Sequence, residues 1–182
     1  MNAPPPVTLV PFTADRLDSV APWFDDHEVQ RRLGDRRWPA RELDLLTRRP
    51  GGSYRGRTVL RAHSWVALDE QQQPVAHLGG EVYDRWTRYG GEGPSGPLVL
   101  GAVALRSMGL TYLVDPARWR QGFGRAALRT VICCDEVADV RMFVAGIDAD
   151  NTASQRCAQS AGFSTDHPEP DWEDTIYHHF IR

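Results

Sequence analysis

The chain has 182 residues, of which 41% are hydrophobic and 25% charged, and its formal net charge is -3 at pH 7. These values are typical of a soluble globular protein, so we expect residues 1–182 to form a single domain that binds no nucleic acid. The apolar stretches are short and the opening "MNAPPPVTLVPF" has no basic start, so we expect no membrane span, no signal peptide and a cytoplasmic location.

Two features of the composition exclude classes of chemistry. All 21 basic residues are arginine, which rules out any site that needs a lysine of this chain. The three cysteines, Cys133, Cys134 and Cys157, have neither the number of a disulfide framework nor the spacing of a zinc site.

The first part of the chain predicts a strand followed by helices. "VTLVPF" predicts a strand over 7–12, and the segment 13–34 predicts one or two helices with Thr13 as N-cap and Gly34 at the end. "PARELDLLTRR" (39–49) predicts a short amphipathic helix, and "RPGGSYRGR" (49–57) predicts a loop.

The later part predicts a strand meander and then alternating strands and helices. The predicted strands cover 63–69, 74–84, one or two segments of 98–115, 140–147 and 175–182. The Gly- and Pro-rich segment 85–97 predicts a long loop. Residues 118–137 are mainly helix, and a second helix over 150–162 ends at Gly162. This order predicts a mixed α/β domain around one sheet.

The segment "DPARWRQGFGRAAL" (115–128) predicts an anion site. A strand precedes it and a helix follows, and a helix N-terminus offers unpaired N–H groups and partial positive charge. Glycines let the backbone approach a ligand closely, and three arginines add charge, so a phosphate or pyrophosphate is the natural ligand.

Other interpretations of this turn stay open on the residues alone. Gly122, Gly124 and Ala127 match the dinucleotide fingerprint G-x-G-x-x-A, but seven residues separate its first glycine from the strand. The phosphate loop of nucleotide hydrolases needs a lysine that the chain lacks. The turn can also serve only to pack the helix against the strand.

The segment "ARWRQGFGRAAL" resembles the acyl-CoA-binding segment of the GNAT superfamily of N-acetyltransferases, whose pattern is [QR]-x-x-G-x-[GA] after the fourth strand. "DADNTASQRCAQSAGF" (148–163) is similar to the later segment of that family, in which an Asn opens a helix that ends in Gly and Phe. The opening of the chain is similar to the branch that includes ribosomal-protein N-terminal acetyltransferases.

The resemblance implies a fold and a reaction. The fold is α/β (α+β), with a single mixed, mostly antiparallel sheet of about six or seven strands, flanking helices, and splayed fourth and fifth strands. Acetyl-CoA lies in the gap as co-substrate and is attacked directly by a primary amine, on a protein N-terminus or a small molecule. The resemblance implies no metal, and it raises the hypothesis of a homodimer through the last strands.

The resemblance also implies roles for individual residues. Pantetheine runs beside the fourth strand and the pyrophosphate lies on the turn. The residues implied to hold acetyl-CoA are Leu113, Val114, Trp119, Arg120, Gln121, Gly122, Phe123, Gly124, Arg125, Asn151 and Ser154. We expect Gly124 to leave space for the anion. We expect Ser154, at the start of the later helix, to hydrogen-bond the departing thiolate, with Tyr112 as the next candidate.

The chain departs from the family pattern where the chemistry is expected. Trp119 stands where Arg or Gln is usual, and Arg120 stands where Gly is usual. Ala158 replaces the tyrosine that many members use as general acid, and Met108 or Gly109 falls where a glutamate base is common.

A base therefore has to come from another position. Glu81 and Asp84 lie on a predicted strand and are candidates to activate the amine, although an exposed strand face is the more common reason for such residues. An α-amine with a pKa of about 8 needs a base less than an alkyl amine with a pKa of about 10.4. Because the usual base and acid are absent, a CoA-binding sensor or interaction module is the alternative function.

Three further groups of residues carry chemistry-bearing side chains. Cys157 predicts a core thiol rather than a nucleophile. The adjacent His178 and His179 point to opposite faces of a strand and make a poor metal pair. The acidic group Asp25, Asp26 and Glu28 can receive a cationic substrate or simply face the solvent.

Overall fold

The computed structural model describes residues 3–47 and 50–182, in which one eight-stranded sheet separates two layers of helices. The helices on one side come from the first part of the chain, and those on the other side come from the second. The helices are α1 (Leu17–Val20), α2 (His27–Leu33), α3 (Trp38–Leu46), α4 (Phe123–Ile132) and α5 (Thr152–Ala161).

Ten strands occur in the described residues. They are β1 (Thr8–Pro11), β2 (Ser53–Tyr54), β3 (Arg57–Leu68), β4 (Pro74–Tyr83), β5 (Trp86–Gly93), β6 (Gly96–Val103), β7 (Ser107–Gly109), β8 (Thr111–Val114), β9 (Met142–Asp148) and β10 (Thr175–Ile181).

The main sheet has the order β1-β3-β4-β7-β9-β10, with β2 added beside β3 and β8 beside β4. Its pairs are antiparallel except β7 with β9, which are parallel. Since β7 and β8 are two halves of one predicted strand and β2 is very short, the prediction of a mixed, mostly antiparallel sheet of six or seven main strands is confirmed.

Two hydrophobic clusters hold the layers on the sheet. The larger one packs α4 and α5 against one face through residues such as Leu128, Phe143 and Ala158. The smaller one packs α1 to α3 against the other face through Phe12, Phe24 and neighbours. Among the described residues, no helix is long and apolar enough to cross a membrane.

The predicted loop over 85–97 is wrong, because most of it belongs to the hairpin of β5 and β6, a separate two-stranded sheet. Two of its glycines make room for side chains of the opposite strand. A Cβ on Gly90 would lie 2.7 Å from Leu100, and one on Gly93 would lie 2.9 Å from Leu98. Here glycine serves cross-strand packing and not loop flexibility.

Other boundaries also differ from the predictions. β3 begins at Arg57, six residues before the predicted strand, because β2 pairs with its start inside the predicted loop. The predicted helix over 118–137 contains α4, which starts only at Phe123 after a turn with left-handed residues. The end of the predicted helix over 39–49 includes Arg48 and Arg49, which lie outside the described residues.

The predicted helix ends are partly confirmed. Gly34 and Gly162 end α2 and α5 with positive φ angles of 101° and 104°. Thr13 precedes a short 3-10 turn and caps no N–H group, since its hydroxyl donates to Asp15 at 2.5 Å. The side chain that does cap α2 is Asp26, which accepts from the backbone N–H groups of Glu28 and Val29.

Candidate active site

The sheet opens between β8 and β9. The parallel pairing of β7 with β9 ends at Gly109 opposite Val144, and the Leu110 N–H donates the last hydrogen bond to the Val144 carbonyl at 2.7 Å. Beyond it, among residues 3–47 and 50–182, β8 pairs only with β4, and β9 only with β10. The predicted splay of the fourth and fifth main strands is therefore present, with one free strand edge on each side.

The opening depends on a close backbone approach. A Cβ on Gly80 would lie 1.7 Å from the Gly109 carbonyl oxygen, so only glycine lets β4 meet the irregularity between β7 and β8. That irregularity turns the chain at Leu110 away from β9.

A cavity of about 930 Å³ lies in the opening between β8 and β9 and extends to the turn before α4. All residues predicted to hold acetyl-CoA line it except Gln121 and Phe123. The Gln121 side chain is exposed and donates to the Ala117 carbonyl, and the Phe123 side chain is buried in the larger cluster. Tyr112 lines the cavity and Glu81 does not.

The turn before α4 presents the start of that helix to the cavity. Arg120 and Gly122 have positive φ angles of 63° and 90°, which curl the chain so that α4 begins at Phe123. The first N–H groups of a helix have no partner within it. The Ala126 N–H is the first to find one, at the Gly122 carbonyl.

Arginines add positive charge at this end of the cavity. Arg118 pairs with Asp69 at 3.6 Å, whereas Arg120, Arg125 and Arg156 have no carboxylate within 4.0 Å in residues 3–47 and 50–182. In the same residues the buried Nε of Arg125 has no hydrogen-bond partner. Free helical N–H groups and an unpaired guanidinium nitrogen fit a pyrophosphate.

Gly124 serves helix packing in the turn that lines the cavity. A Cβ there would lie 2.7 Å from the Cys157 Sγ and 3.1 Å from a Val114 methyl. The missing side chain is thus required where α4 crosses α5 and β8. That Gly124 also leaves space for an anion stays a prediction.

Tyr112 and Ser154 meet across the cavity. Their hydroxyl oxygens are 2.5 Å apart, and the Tyr112 O–H donates to the Ser154 carbonyl at 2.8 Å. Burial, reinforced by the nearby Cys157, raises the pKa of the Tyr112 phenol, and burial raises the pKa of Cys157 to about 11. The hydroxyls of Tyr112 and Ser154 and the thiol of Cys157 therefore stay protonated at neutral pH. Because the thiolate is the nucleophilic form, Cys157 does not act as a nucleophile.

Asn151 caps α5 as predicted. Its side-chain oxygen accepts from the Ser154 N–H at 3.1 Å, which fixes Ser154 in the first turn of the helix. The positive end of α5 faces the same cavity.

An ion-pair network joins α2 to the start of α5 at the rim of the cavity. Arg32 pairs with Asp148 at 2.7 Å and also with Asp150 and Glu28. Hydrogen bonds from Arg32 and Arg31 lower the pKa of Asp150 to about 2. Glu28 therefore holds arginines, Asp26 caps α2 and Asp25 pairs with Arg36 at 3.2 Å, so all three acids proposed to receive a cationic substrate have structural partners.

The opposite face of the sheet carries a pair of carboxyl groups near the opening. Glu81 accepts a 2.8 Å hydrogen bond from Tyr83, and Glu42 of α3 reaches over β4. Burial, with a smaller effect of Glu81, raises the pKa of Glu42 to about 7. Asp84 is engaged, since it pairs with Arg85 and accepts from the Thr58 N–H.

Glu42 lies one strand from the cavity. Its Oε2 is 3.0 Å from the point where a Cβ of Gly79 would lie, and Gly79 is the cross-strand partner of Thr111, which lines the cavity. The sequence prediction missed Glu42. The signal for it was a carboxyl group on the apolar side of α3, four residues after Trp38 and beside Leu43, which both join the smaller cluster.

The remaining titratable groups form no metal centre. No group of three or more His, Cys, Asp or Glu side chains in the described chain can hold a metal ion. His178 and His179 of β10 point to opposite faces of the sheet. His178 is buried, and His179 lies 3.4 Å from Asp166.

Comparison with known proteins gives the class of N-acetyltransferases that the sequence resembles. The family described as "Acetyltransferase (GNAT) domain" matches residues 7–164. An uncharacterized N-acetyltransferase of Bacillus subtilis (strain 168), YfmK, is 34% identical over 83 residues, which make up 46% of this chain and 55% of that protein. The chain thus matches only about half the length of this curated relative.

Two solved structures share the fold. An aminoglycoside acetyltransferase, AAC(6')-Ib, in complex with coenzyme A has a TM-score of 0.66 at 15% identity, over 97% of this chain and 95% of that one. The spermidine N-acetyltransferase from Vibrio cholerae, in complex with CoA and spermine, has a TM-score of 0.65 at 9% identity, over 96% and 95%. With the match over residues 7–164, they confirm the predicted class: the chain belongs to the GNAT acetyltransferase family.

Proposed function

We propose that the chain transfers an acetyl group from acetyl-CoA to a primary amine, as one domain spanning residues 1–182. The observation that carries this proposal is the opening between β8 and β9, which continues as one cavity to the N-terminus of α4. A long, thin thioester with a charged tail fits such a channel. The two solved relatives described above are complexes with CoA.

The free edge of β8 binds the amide groups of pantetheine, since its backbone groups on that side have no strand partner, although the Val114 carbonyl accepts a 2.9 Å hydrogen bond from the Trp119 indole N–H. The pyrophosphate lies against the N–H groups of residues 122–125 and the unpaired Nε of Arg125. Arg120 and Arg156 contribute charge at the same end. Among the predicted ligands, Gln121 and Phe123 contribute only backbone groups.

The acceptor amine reaches the thioester from the face that carries Glu42. Its lone pair attacks the thioester carbonyl, the carbon–sulfur bond breaks, and the amine loses one proton. Glu42 takes that proton, because a carboxyl group with a pKa of about 7 is balanced between its two forms at neutral pH. Glu81 has a supporting role: its charge helps to raise the pKa of Glu42.

The departing thiolate is stabilised by the pair of Tyr112 and Ser154. Because the two hydroxyls are already hydrogen-bonded, one can turn its proton to the sulfur while the other supports it. A thiol with a pKa of about 8.5 is a fair leaving group, so a hydrogen bond suffices. This deepens the earlier expectation that Ser154 acts alone.

The acceptor is a small-molecule amine or a protein N-terminus, the latter following the likeness to the ribosomal-protein branch. Aminoglycosides and spermidine are named for the solved relatives and are not assigned to this chain. A homodimer through the last strands is part of the proposal, since β10 is an edge strand of the sheet.

Thiol release from acetyl-CoA, measured with a panel of amines, amino acids and peptides, tests the function. We expect at least one acceptor to give turnover well above hydrolysis, with the acetylated product identified by mass spectrometry. Tight CoA binding with no turnover for any acceptor would favour the alternative, a CoA-binding sensor. Absence of CoA binding would refute both.

A further inference from the structure

Arg57 is a buried cation without an anionic partner. The residue is 8% exposed, and its Nε is fully buried with no hydrogen-bond partner among the described residues. Within the same part of the chain no carboxylate oxygen lies within 4.0 Å of its guanidinium. Buried charges are normally paired, because an ion that is removed from water without a partner loses its hydration and gains nothing in return.

Aromatic rings surround this guanidinium. Its central carbon lies 3.9 Å from the Tyr83 ring centre, 5.5 Å from that of Tyr54 and 5.8 Å from that of Tyr89. Glu92 and Glu173 are paired with the neighbouring Arg55. The site is therefore positive, partly shielded from water and short of an anion.

Tyr83 connects this guanidinium to the opening in the sheet. One edge of its ring is 3.7 Å from the point where a Cβ of Gly109 would lie, and Gly109 is where β7 still pairs with β9. Its hydroxyl donates to Glu81 at 2.8 Å. One aromatic ring thus separates the guanidinium of Arg57 from the reaction end of the gap.

The charges on this face have a fixed order. The carboxyl groups of Glu42 and Glu81 come first beside the opening, and the guanidinium of Arg57 lies beyond Tyr83. An amine that also carries a negative group matches both charged sites, with its nitrogen at the carboxyl groups of Glu42 and Glu81 and its anion at Arg57. A polyamine, which has no negative group, matches only the carboxyl groups.

We propose that Arg57 binds the carboxylate of the acceptor, so that the acceptor is an amino acid. This inference rests on the proposed acetyl transfer and names its substrate class. The amine of the amino acid approaches the thioester from the Glu42 side, and its carboxylate supplies the counter-ion that Arg57 lacks. Arg57 determines specificity and takes no part in proton transfer.

The test compares free amino acids with their carboxamides, which keep the amine and lose the negative charge. Steady-state thiol release is measured for the wild type, Arg57→Gln and the control Arg55→Gln, which removes a neighbouring arginine that has its own acids. We expect the wild type to prefer at least one amino acid over its amide about 10- to 100-fold in kcat/KM, as a charged hydrogen bond allows. Arg57→Gln abolishes that preference through KM, whereas Arg55→Gln keeps it.

A second measurement separates this inference from the proposed function. Calorimetric titration of the same amino acid into CoA-loaded protein reports binding without turnover, and the loss of affinity in Arg57→Gln is expected there too. Arg57→Lys retains the positive charge and should therefore keep part of the affinity that Arg57→Gln loses. Folding is checked by thermal unfolding, and loss of an unpaired charge leaves the midpoint unchanged or higher.

Equal use of amino acids and amides by the wild type, or an unchanged preference in Arg57→Gln, would overturn the inference while leaving acetyl transfer intact. A large fall in the unfolding temperature of both Arg57 variants would show that Arg57 only stacks on Tyr83. If no acceptor gives turnover, the proposed function fails, and amino-acid binding still decides the role of Arg57.

Discussion

Replacement of Glu42 by glutamine separates its two effects, on catalysis and on stability. The substitution keeps the shape of the side chain and removes its ionisation. Burial near Glu81 raises the pKa of Glu42 to about 7, so the folded protein holds a proton there that the unfolded chain releases near pH 4.5. Stability is therefore fully present below about pH 4.5 and is lost as the pH rises through 7.

The size of the stability effect follows from that difference. A pKa of about 7 in place of 4.5 corresponds to about 3 kcal/mol at most. Glu42 is only partly buried, so solvent screening reduces this to about 1–2 kcal/mol. Glu42→Gln should accordingly unfold about 2–6 °C higher than the wild type at pH 8, with the difference shrinking toward pH 5.

The activity should move in the opposite direction. A general base contributes about 10²- to 10⁴-fold, so kcat/KM should fall by at least about 100-fold at pH 8. The acid limb of the wild-type pH profile near pH 7 should disappear in the variant. Asp44→Asn, which changes an exposed carboxylate of the same helix, is the matched control for both measurements.

Either of two results would refute this reasoning. If Glu42→Gln is active with an unchanged pH profile, the amine is deprotonated by water or by another group. If the variant is less stable than the wild type at pH 8, Glu42 is paired as a carboxylate and its pKa is not raised.

Three further predictions concern the cavity. Gly124→Ala should lower the free energy of unfolding by about 1–3 kcal/mol, because the added methyl group contacts the Cys157 sulfur, and Cys157→Ala in the same chain should recover much of that loss. Denaturant unfolding of the double mutant tests this prediction, and additive losses of stability would contradict it. Ser154→Ala and Tyr112→Phe should each lower kcat about 10- to 150-fold with little effect on CoA affinity, and the double mutant should be no worse than the poorer single one, since the hydroxyls act as a unit. CoA affinity measured by calorimetry should weaken as chloride or sulfate is added, because unpaired arginines and N–H groups recognise charge; an affinity flat from low to high salt would place the phosphates elsewhere.

Features set by local sequence were predictable. The side chain of Asn151 caps the start of α5, and the positive φ angle of Gly162 ends that helix, as the sequence predicted. The segment before α4 was likewise identified as the start of a helix with free N–H groups. These signals need only neighbouring residues, so both ends of α5 and the glycine turn before α4 could be predicted from the sequence, whereas the acetyl-CoA site placed there stays a prediction.

Features set by distant contacts were not predictable. The glycines of β5 signalled a loop, since the leucines that fill their space lie on β6. Glu42 and Arg57 look like ordinary surface residues until α3 packs over β4 and the pairing of β3 with β4 brings Arg57 beside Tyr83. Their properties arise from burial beside Glu81 and Tyr83, and no local pattern encodes that.

The most direct measurement of the central claim is the electron density of a crystal grown with CoA. We expect pantetheine along the free edge of β8, the sulfur near the hydroxyls of Tyr112 and Ser154, and the pyrophosphate on the N–H groups of residues 122–125. Density for CoA outside the opening between β8 and β9, or a pyrophosphate away from the start of α4, would contradict it.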